Sequence, residues 1–135
     1  MNHFHLLIVT PDGVAFDGKA KSLLVRTTAG DVEILAGHTD FIAAIDLGTA
    51  RLTDSDGKLR EASVQGGFLT VKNGEVTMNN ITFEFSDEID LVRAEKAKTE
   101  AENALREATD EKAQRIAEAK LTRALNRISV ADRRR

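Results

Sequence analysis

The chain has 135 residues, no cysteine and a formal net charge of -3. Its length suits one ordinary domain, or a small domain with an appendage. The lack of cysteine excludes zinc fingers, thiol catalysis and disulfide scaffolds. The apolar run at residues 4–9 is too short for a membrane span or a signal-peptide core, so we interpret it as a buried strand. We expect neither nucleic-acid binding nor direct insertion into a membrane.

The first part of the chain, up to residue 86, is punctuated by turn signals between short segments rich in Val, Ile, Leu, Thr and Phe. This pattern predicts a sandwich or barrel of about eight to ten antiparallel strands. The best hairpin signal is Asn73-Gly74, which separates two alternating segments. All the phenylalanines fall in this part, and we expect them in its core: Phe4, Phe16, Phe41, Phe68, Phe83 and Phe85.

Residues 87–135 contain no glycine and no proline, and they predict two helices that pair as an antiparallel hairpin. Ser86 or Asp87 is expected to cap the first helix, and Thr109 or Asp110 the second. Small and apolar residues at intervals of three and four predict the seam between the helices: Ala94, Ala97, Ala101, Ala104 and Ala108 on the first, and Ala117, Leu121, Ala124, Ile128 and Ala131 on the second. A seam rich in alanine buries little apolar area, so we expect the two helices to be held together weakly.

The basic side chains concentrate at the end of the second helix. Residues 120–135 contain six Lys and Arg against one Asp. This segment could face an acidic partner.

Two histidine positions invite a catalytic or metal-binding interpretation. His38 and Asp40 could form a general base with its orienting carboxylate, but no nucleophile motif accompanies them, and a hydrogen-bonded or solvent-facing turn histidine is the alternative. His3 and His5 alternate along a strand and could meet a metal. Because no carboxylate or cysteine lies at ligand spacing, we favour a pair at a strand edge.

Asp90 and Arg93 lie one turn apart at the entrance of the first helix. The hairpin register brings Arg127 opposite Arg93 and places Arg123 one turn away. The Asp90–Arg93 pair could be a helix cap with a surface salt bridge, or the three arginines could bind an anion such as a phosphate chain.

Three segments carry a resemblance that spans essentially the whole chain. Residues 30–45, GDVEILAGHTDFIAAI, are similar to the family pattern G-[DE]-x-G-I-L-P-G-H-A-P-L. Residues 66–78, GGFLTVKNGEVTM, are similar to G-G-[FI]-L-E-V followed by V-T, and residues 88–97, EIDLVRAEKA, keep I-D-x-x-R-A. These segments resemble the epsilon subunit of bacterial F-type ATP synthase. The departures from the first of these patterns fall within residues 32–40, and Glu100 departs at a position of the first helix where a basic residue can occur in the family.

The resemblance implies a non-catalytic rotor component, with a sandwich of about ten strands (residues 1–86) and a regulatory hairpin (residues 87–135). The sandwich would bind the gamma subunit and the ring of c subunits and help couple ion-driven rotation to ATP synthesis. The hairpin would reach the beta and alpha subunits of the catalytic head and block ATP hydrolysis. The protein would lie at the cytoplasmic side of the bacterial cell membrane as a peripheral subunit.

The resemblance also implies two sets of site residues and no required cofactor. Regulatory ATP would be bound by residues that match positions used in some bacterial members: Glu84, Ile89, Asp90, Arg93, Ala94, Arg123 and Arg127. A loop facing the c-ring would contain Asp31, Val32, Glu33 and His38. No catalytic residue and no metal ligand is implied.

Two readings from other classes share some of these features. A free-standing adaptor, in which a sandwich with a helical hairpin binds an acidic protein, would have the same pattern, and co-purification with a gamma subunit distinguishes it. A small hydrolase using His38 and Asp40 would lose turnover on His38→Ala.

Overall fold

The chain divides between Phe85 and Ser86 into two compact units, and the computed structural model describes residues 3–132. Within the described residues, the first unit contains nine strands: β1 (Phe4–Thr10), β2 (Gly13–Thr27), β3 (Gly30–Leu35), β4 (Phe41–Ala44), β5 (Gly48–Asp54), β6 (Leu59–Gln65), β7 (Phe68–Lys72), β8 (Glu75–Asn79) and β9 (Thr82–Phe85). The second unit contains a 3₁₀ turn, Ser86–Glu88, and the helices α1 (Leu91–Glu107) and α2 (Glu111–Asp132). The predicted fold class is confirmed. The arginines at 133–135, part of the predicted basic end, lie outside the described residues.

Strand β2 connects the two layers of the sandwich. Its first half pairs with β1, and its second half pairs with β3 along one edge and with β5 along the other. The register against β5 shifts between Ala20 and Ser22, and a bulge of this kind lets a strand bend. The hydrogen-bonded order is β4-β7-β8-β1-β2-β5-β6-β9, with β3 beside β2. The bend in β2 therefore folds one continuous sheet into two facing layers.

One strand pairing departs from the predicted antiparallel arrangement. Strands β1 and β8 pair in parallel, from His5 opposite Glu75 to Val9 opposite Asn79. Turn signals report where consecutive strands reverse direction, but they say nothing about strands that are distant in the chain. This pairing was therefore not accessible from the turn pattern.

The core of the first unit follows the two-residue period of its strands. Phe4, Leu6 and Ile8 of β1 are buried, while the residues between them face outwards. Of the phenylalanines predicted to be in the core, Phe4, Phe83 and Phe85 are buried, and Phe16 and Phe41 pack against the core from its edge. Phe68 is exposed, so its prediction was wrong. It alternates with the buried Leu69 and Val71 and therefore points away from the core.

The Gly66-Gly67 turn lies where two connections approach each other closely. Gly67 has φ +94°, and a Cβ at this position would lie 1.6 Å from the backbone oxygen of Asn79. The amide Nδ2 of the buried Asn80 donates to the oxygen of Gly66 at 2.8 Å. Only glycine fits at position 67, which explains the second glycine of the GGFL segment.

The two helices begin at aspartate caps. Asp90 is the N-cap of α1, and its Oδ1 accepts a hydrogen bond from the backbone N–H of Arg93 at 3.1 Å. The prediction of Ser86 or Asp87 as the cap was wrong, because these residues form the preceding 3₁₀ turn. Asp110 precedes α2, and its side chain accepts a hydrogen bond from the backbone N–H of Ala113 at 2.7 Å. Asp110 was one of the two residues predicted to cap the second helix. Neither helix carries, within residues 3–132, an apolar stretch long enough to cross a bilayer.

The helices pack along the predicted alanine seam. Ala94 and Ala101 of α1 are buried, as are Ala117, Ala124 and Ala131 of α2. The seam prediction was wrong at Ala104, which is exposed, and the half-buried residue next to it is Leu105. This difference of one position follows from the 3.6-residue period, which drifts across a pattern read in steps of three and four.

Candidate functional site

The entrance of α1 and the end of α2 lie together in the hairpin. Ile89, Val130 and Ala131 form a buried apolar cluster, against which Leu91 packs. This cluster fixes the register of the hairpin, because it places the residue before the Asp90 cap beside the end of α2. We call it the hairpin-end cluster.

The hairpin-end cluster brings the three predicted arginines to one end of the hairpin. Arg93 lies about one helical turn from Ile89, and Arg127 lies about one turn from Ala131. Arg123 lies one further turn along α2. Arg93 is exposed, whereas Arg123 and Arg127 are half-buried and the Nε of Arg127 is fully buried. The guanidinium groups concentrate positive charge at this end, which suits an anionic ligand.

The other predicted ATP-binding residues of the hairpin have structural roles. Asp90 uses one carboxylate oxygen to cap α1. Ile89 belongs to the hairpin-end cluster, and Ala94 is buried in the seam. Asp90 therefore retains one carboxylate oxygen for another partner, while Ile89 and Ala94 shape the hairpin from inside.

Glu84 lies in the other unit of the chain. It occupies β9, opposite Ser63 of β6, and its side chain is half-buried. The remaining six predicted ATP-binding residues lie in the helical unit.

The predicted c-ring loop is only in part a loop. Asp31, Val32 and Glu33 lie in β3, paired with β2, and Asp31 accepts a hydrogen bond from Arg26 Nε at 3.3 Å. Their assignment to a loop was wrong because the Val-Glu-Ile-Leu alternation continues the strand. His38 lies in the true loop, residues 36–40, which follows the opposite end of β3 from Asp31.

His38 is held as a turn residue. Its Nδ1 donates to the carbonyl oxygen of Thr39 at 2.7 Å, and its ring packs edge-on against Phe41 with centroids 5.5 Å apart. Asp40 accepts instead from the backbone N–H of Asn73 at 3.0 Å. The carboxylate therefore does not orient the imidazole. No group of three or more metal-ligand side chains is arranged to hold a metal ion within residues 3–132.

An apolar surface that was not predicted from the sequence lies on the outer face of the sandwich. Ile42 of β4 is 69% exposed, Phe68 of β7 is 55% exposed, and Val14 of β2 is 64% exposed. The strand pairings place them on one face together with Val9 of β1. We call these four residues the outer apolar strip. The two-residue alternation of β7 was the signal that would have placed Phe68 there.

Family models match both units of the chain. The model described as "ATP synthase, Delta/Epsilon chain, beta-sandwich domain" matches residues 3–86, and the one described as "ATP synthase, Delta/Epsilon chain, long alpha-helix domain" matches residues 87–132. The chain belongs to the ATP synthase epsilon chain family. It is accordingly a non-catalytic subunit.

Bacterial epsilon chains resemble the sequence over nearly its full length. The ATP synthase epsilon chain of Ruminococcus albus is 39% identical over 132 residues, which cover 97% of this chain and 98% of the relative. That of Bacillus velezensis is 41% identical over 124 residues, covering 92% and 93%.

Two solved structures of mitochondrial ATP synthases contain chains of similar fold. A chain in the OSCP/F1/c-ring structure from Euglena gracilis superposes with a TM-score of 0.76 at 24% identity, covering 90% of this chain and 76% of that chain. A chain in the central stalk/c-ring structure from Tetrahymena thermophila superposes with a TM-score of 0.64 at 12% identity, covering 94% and 95%. At these identities the likeness supports the fold assignment.

Proposed function

We propose that the chain is a rotor subunit of a bacterial F-type ATP synthase, in which the sandwich binds the gamma subunit and the c-ring and the hairpin regulates ATP hydrolysis. It acts as a peripheral subunit at the cytoplasmic side of the cell membrane and helps couple ion-driven rotation to ATP synthesis. Membership of the epsilon chain family supports this role. The main structural support for this role is the outer apolar strip, because an exposed apolar surface of this kind marks an interaction site.

The outer apolar strip is the surface that binds the gamma subunit. Phe68 and Ile42 are large side chains that lie on neighbouring strands, and aromatic and aliphatic anchors of this kind dominate binding energy in interfaces. Burying a phenylalanine in an interface contributes about 1.5–3 kcal/mol.

Co-purification of the gamma subunit with the chain tests this surface. Phe68→Ser should weaken the complex at least tenfold, about 1.4 kcal/mol. Leu59→Ser is the matched control, because Leu59 of β6 is also 55% exposed but lies outside the strip. Equal retention of gamma by Phe68→Ser and the native chain would contradict the assignment.

The c-ring contact belongs to the loop that contains His38, at the Leu35 end of β3. Of the β3 residues implied by the resemblance, Glu33 lies nearest to this loop and Asp31 lies at the far end of the strand. Glu33 is exposed, and His38 is held in place by Thr39 and Phe41. Cross-linking from a cysteine at position 38 to the c subunit, with a cysteine at position 28 in the β2–β3 turn as the control, tests this orientation. More efficient cross-linking from position 28 would show that the opposite end of β3 faces the c-ring.

The hairpin is the regulatory element. Its alanine seam buries little area, so the two helices can exchange their mutual contact for another surface at a modest free-energy cost. The basic end of α2 suits acidic residues on the beta or alpha subunits of the catalytic head. Removal of α2 by ending the chain at Thr109 should leave assembly intact and raise ATP hydrolysis or leave it unchanged. A fall in hydrolysis by the assembled complex would contradict a regulatory role.

The ligand of the closed hairpin is ATP. Arg93, Arg123 and Arg127 concentrate at one end of the hairpin, where guanidinium groups can bind phosphate oxygens. The second carboxylate oxygen of Asp90 can accept a hydrogen bond from the adenine amino group. ATP that binds only the closed hairpin stabilises it by about 2.7 kcal/mol at a hundredfold excess over Kd. The hairpin would then stay closed and non-inhibiting while ATP is plentiful.

Calorimetric titration with ATP and ADP tests the ligand assignment. ATP should bind more tightly than ADP, and Arg93→Ala and Arg127→Ala should each weaken it at least tenfold, about 1.4 kcal/mol. Arg106→Ala and Arg115→Ala are the controls, because these exposed arginines lie at the other end of the hairpin. Glu84→Gln measures whether the strand residue implied by the family resemblance takes part. No binding at millimolar ATP would remove ATP from the proposal.

A further inference from the structure

His5 connects three strands of the sandwich through its imidazole ring. Its Nδ1 lies 2.7 Å from Oε2 of Glu75, and its Nε2 lies 2.6 Å from Oδ1 of Asp17. Glu75 stands directly opposite His5 on β8, and Asp17 lies on β2 opposite Leu7, two residue pairs along from His5. Because β1 lies between β8 and β2, one side chain bridges both of its neighbours.

The two carboxylates determine the protonation state of the ring. An ionised carboxylate only accepts hydrogen bonds, and a neutral imidazole has a single N–H to donate. Both contacts are therefore made only when both ring nitrogens carry protons, and each is then a charge-assisted hydrogen bond. The hydrogen bond with Asp17, followed by that with Glu75, raises the pKa of His5 above its usual value of 6.5.

Two lysines and a second histidine also lie near His5 among the described residues. Lys19 stands opposite His5 on β2, Lys72 stands opposite Glu75 on β7, and His3 precedes His5 by two residues. The lysines disfavour a positive charge on the ring, but the two carboxylates are in direct hydrogen-bond contact with it. At contact distance the attraction exceeds the screened repulsion from exposed lysines.

We propose that His5 is a pH-sensitive clip that fastens β8 and β2 to β1 in its doubly protonated form and releases one carboxylate when it loses a proton. The native sandwich holds this proton more tightly than the unfolded chain. The stabilisation is therefore fully present below about pH 6.5 and is lost as the pH rises through the native pKa, which lies above that value. The hydrogen bonds of His5 stabilise the position of β1, the strand that also contains Val9 of the outer apolar strip.

The direct test is a titration of the ring nitrogens by ¹⁵N NMR in the full-length chain. His5 should show two protonated nitrogens below about pH 6.5 and a midpoint above that value. Asp17→Asn and Glu75→Gln should each lower this midpoint, because each removes one ionic acceptor. Asp12→Asn is the matched control, since Asp12 lies in the turn at the far end of β1. A midpoint at or below 6.5, or a midpoint unaffected by both variants, would overturn the proposal.

A second measurement separates the charge of His5 from its packing. Urea unfolding of the native chain and of His5→Gln is compared at about pH 6 and about pH 9. The native chain should lose stability relative to His5→Gln as the pH rises, while the same comparison with His38→Gln removes any general effect of pH. A difference between the native chain and His5→Gln that is the same at both pH values would show that the clip does not depend on the proton.

Discussion

Ile89 shares one buried apolar cluster with Val130, so the residue before the cap of α1 contacts the last turns of α2. These are the largest buried side chains of the hairpin-end cluster, and they lie at the end of the hairpin opposite its turn. The seam between the cluster and the turn is formed mainly by alanine. The cluster therefore contributes a disproportionate share of the apolar contact that keeps α2 against α1.

Val130→Ala should loosen the closed hairpin. The substitution removes two methyl groups from a fully buried position, at a cost on the order of 1–2 kcal/mol. Amide hydrogen exchange in the last turns of α2 should accelerate, while exchange in β1 to β9 stays unchanged. Val92→Ala is the matched control, because Val92 is 81% exposed on α1. Equal exchange rates in the two variants would show that the cluster does not hold the hairpin closed.

Asp90 has two predicted roles that its substitutions can separate. Asp90→Ala removes the cap of α1 and should destabilise the helix by about 1 kcal/mol. Asp90→Asn retains a side-chain oxygen at the cap, so helix content measured by circular dichroism should remain nearly native. If the carboxylate also helps to bind ATP, Asp90→Asn should weaken ATP binding without this loss of helix.

Two outcomes would contradict a dual role for the Asp90 carboxylate. A normal ATP affinity in Asp90→Asn, with impaired helix content only in Asp90→Ala, reduces Asp90 to a cap. A large loss of helix in both variants would mean that the hydrogen bond to Arg93 depends on the carboxylate charge at the positive helix end.

The sequence predicts the fold through local chemistry. Turn residues and two-residue alternation locate the strands, the absence of glycine and proline locates the helices, and Asn73-Gly74 marks the β7–β8 hairpin that the structure contains. The parallel pairing of β1 with β8 and the bend in β2 depend on contacts between distant residues. They leave no local signature, because the same strand sequence can pair in either direction.

The candidate sites are less accessible from sequence than the fold. Helical spacing predicts that Arg93 lies at the end of the hairpin that holds Arg127. It does not distinguish Ala94 as a buried seam residue from a residue that contacts a ligand, and it does not show the burial of Ile89. The interpretation of His5 as a strand-edge residue was wrong, because β1 pairs with β8 on one side and with β2 on the other. Glu75 and Asp17 become its neighbours only through these strand pairings.

Gly67→Ala should destabilise the sandwich strongly. The new Cβ would overlap the backbone oxygen of Asn79, and backbone, unlike a side chain, cannot rotate away. We expect a loss of at least about 3 kcal/mol in urea unfolding. Gly74→Ala is the matched control, because Gly74 also has a positive φ, +81°, with nothing within 4 Å of an added Cβ. That variant should lose only about 1–2 kcal/mol, and equal losses would exclude the steric explanation.

A chain that ends at Asp87 should remain folded and still bind the gamma subunit. Among residues 3–132, the main apolar core is formed by residues of the strands and their connections, from Phe4 to Phe85. A domain of this size buries enough surface to fold alone. Native-like dispersion of amide NMR signals and a cooperative urea transition would confirm it.

The isolated segment 86–135, in contrast to the sandwich, should not fold stably by itself. Most helical stability in proteins comes from packing of an apolar face, and the alanine seam between α1 and α2 provides little apolar contact. The peptide should therefore unfold without a cooperative transition. If the truncated sandwich instead loses its cooperative unfolding while the helical peptide retains one, the stability of the chain resides in the hairpin, and the division of roles between the two units is wrong.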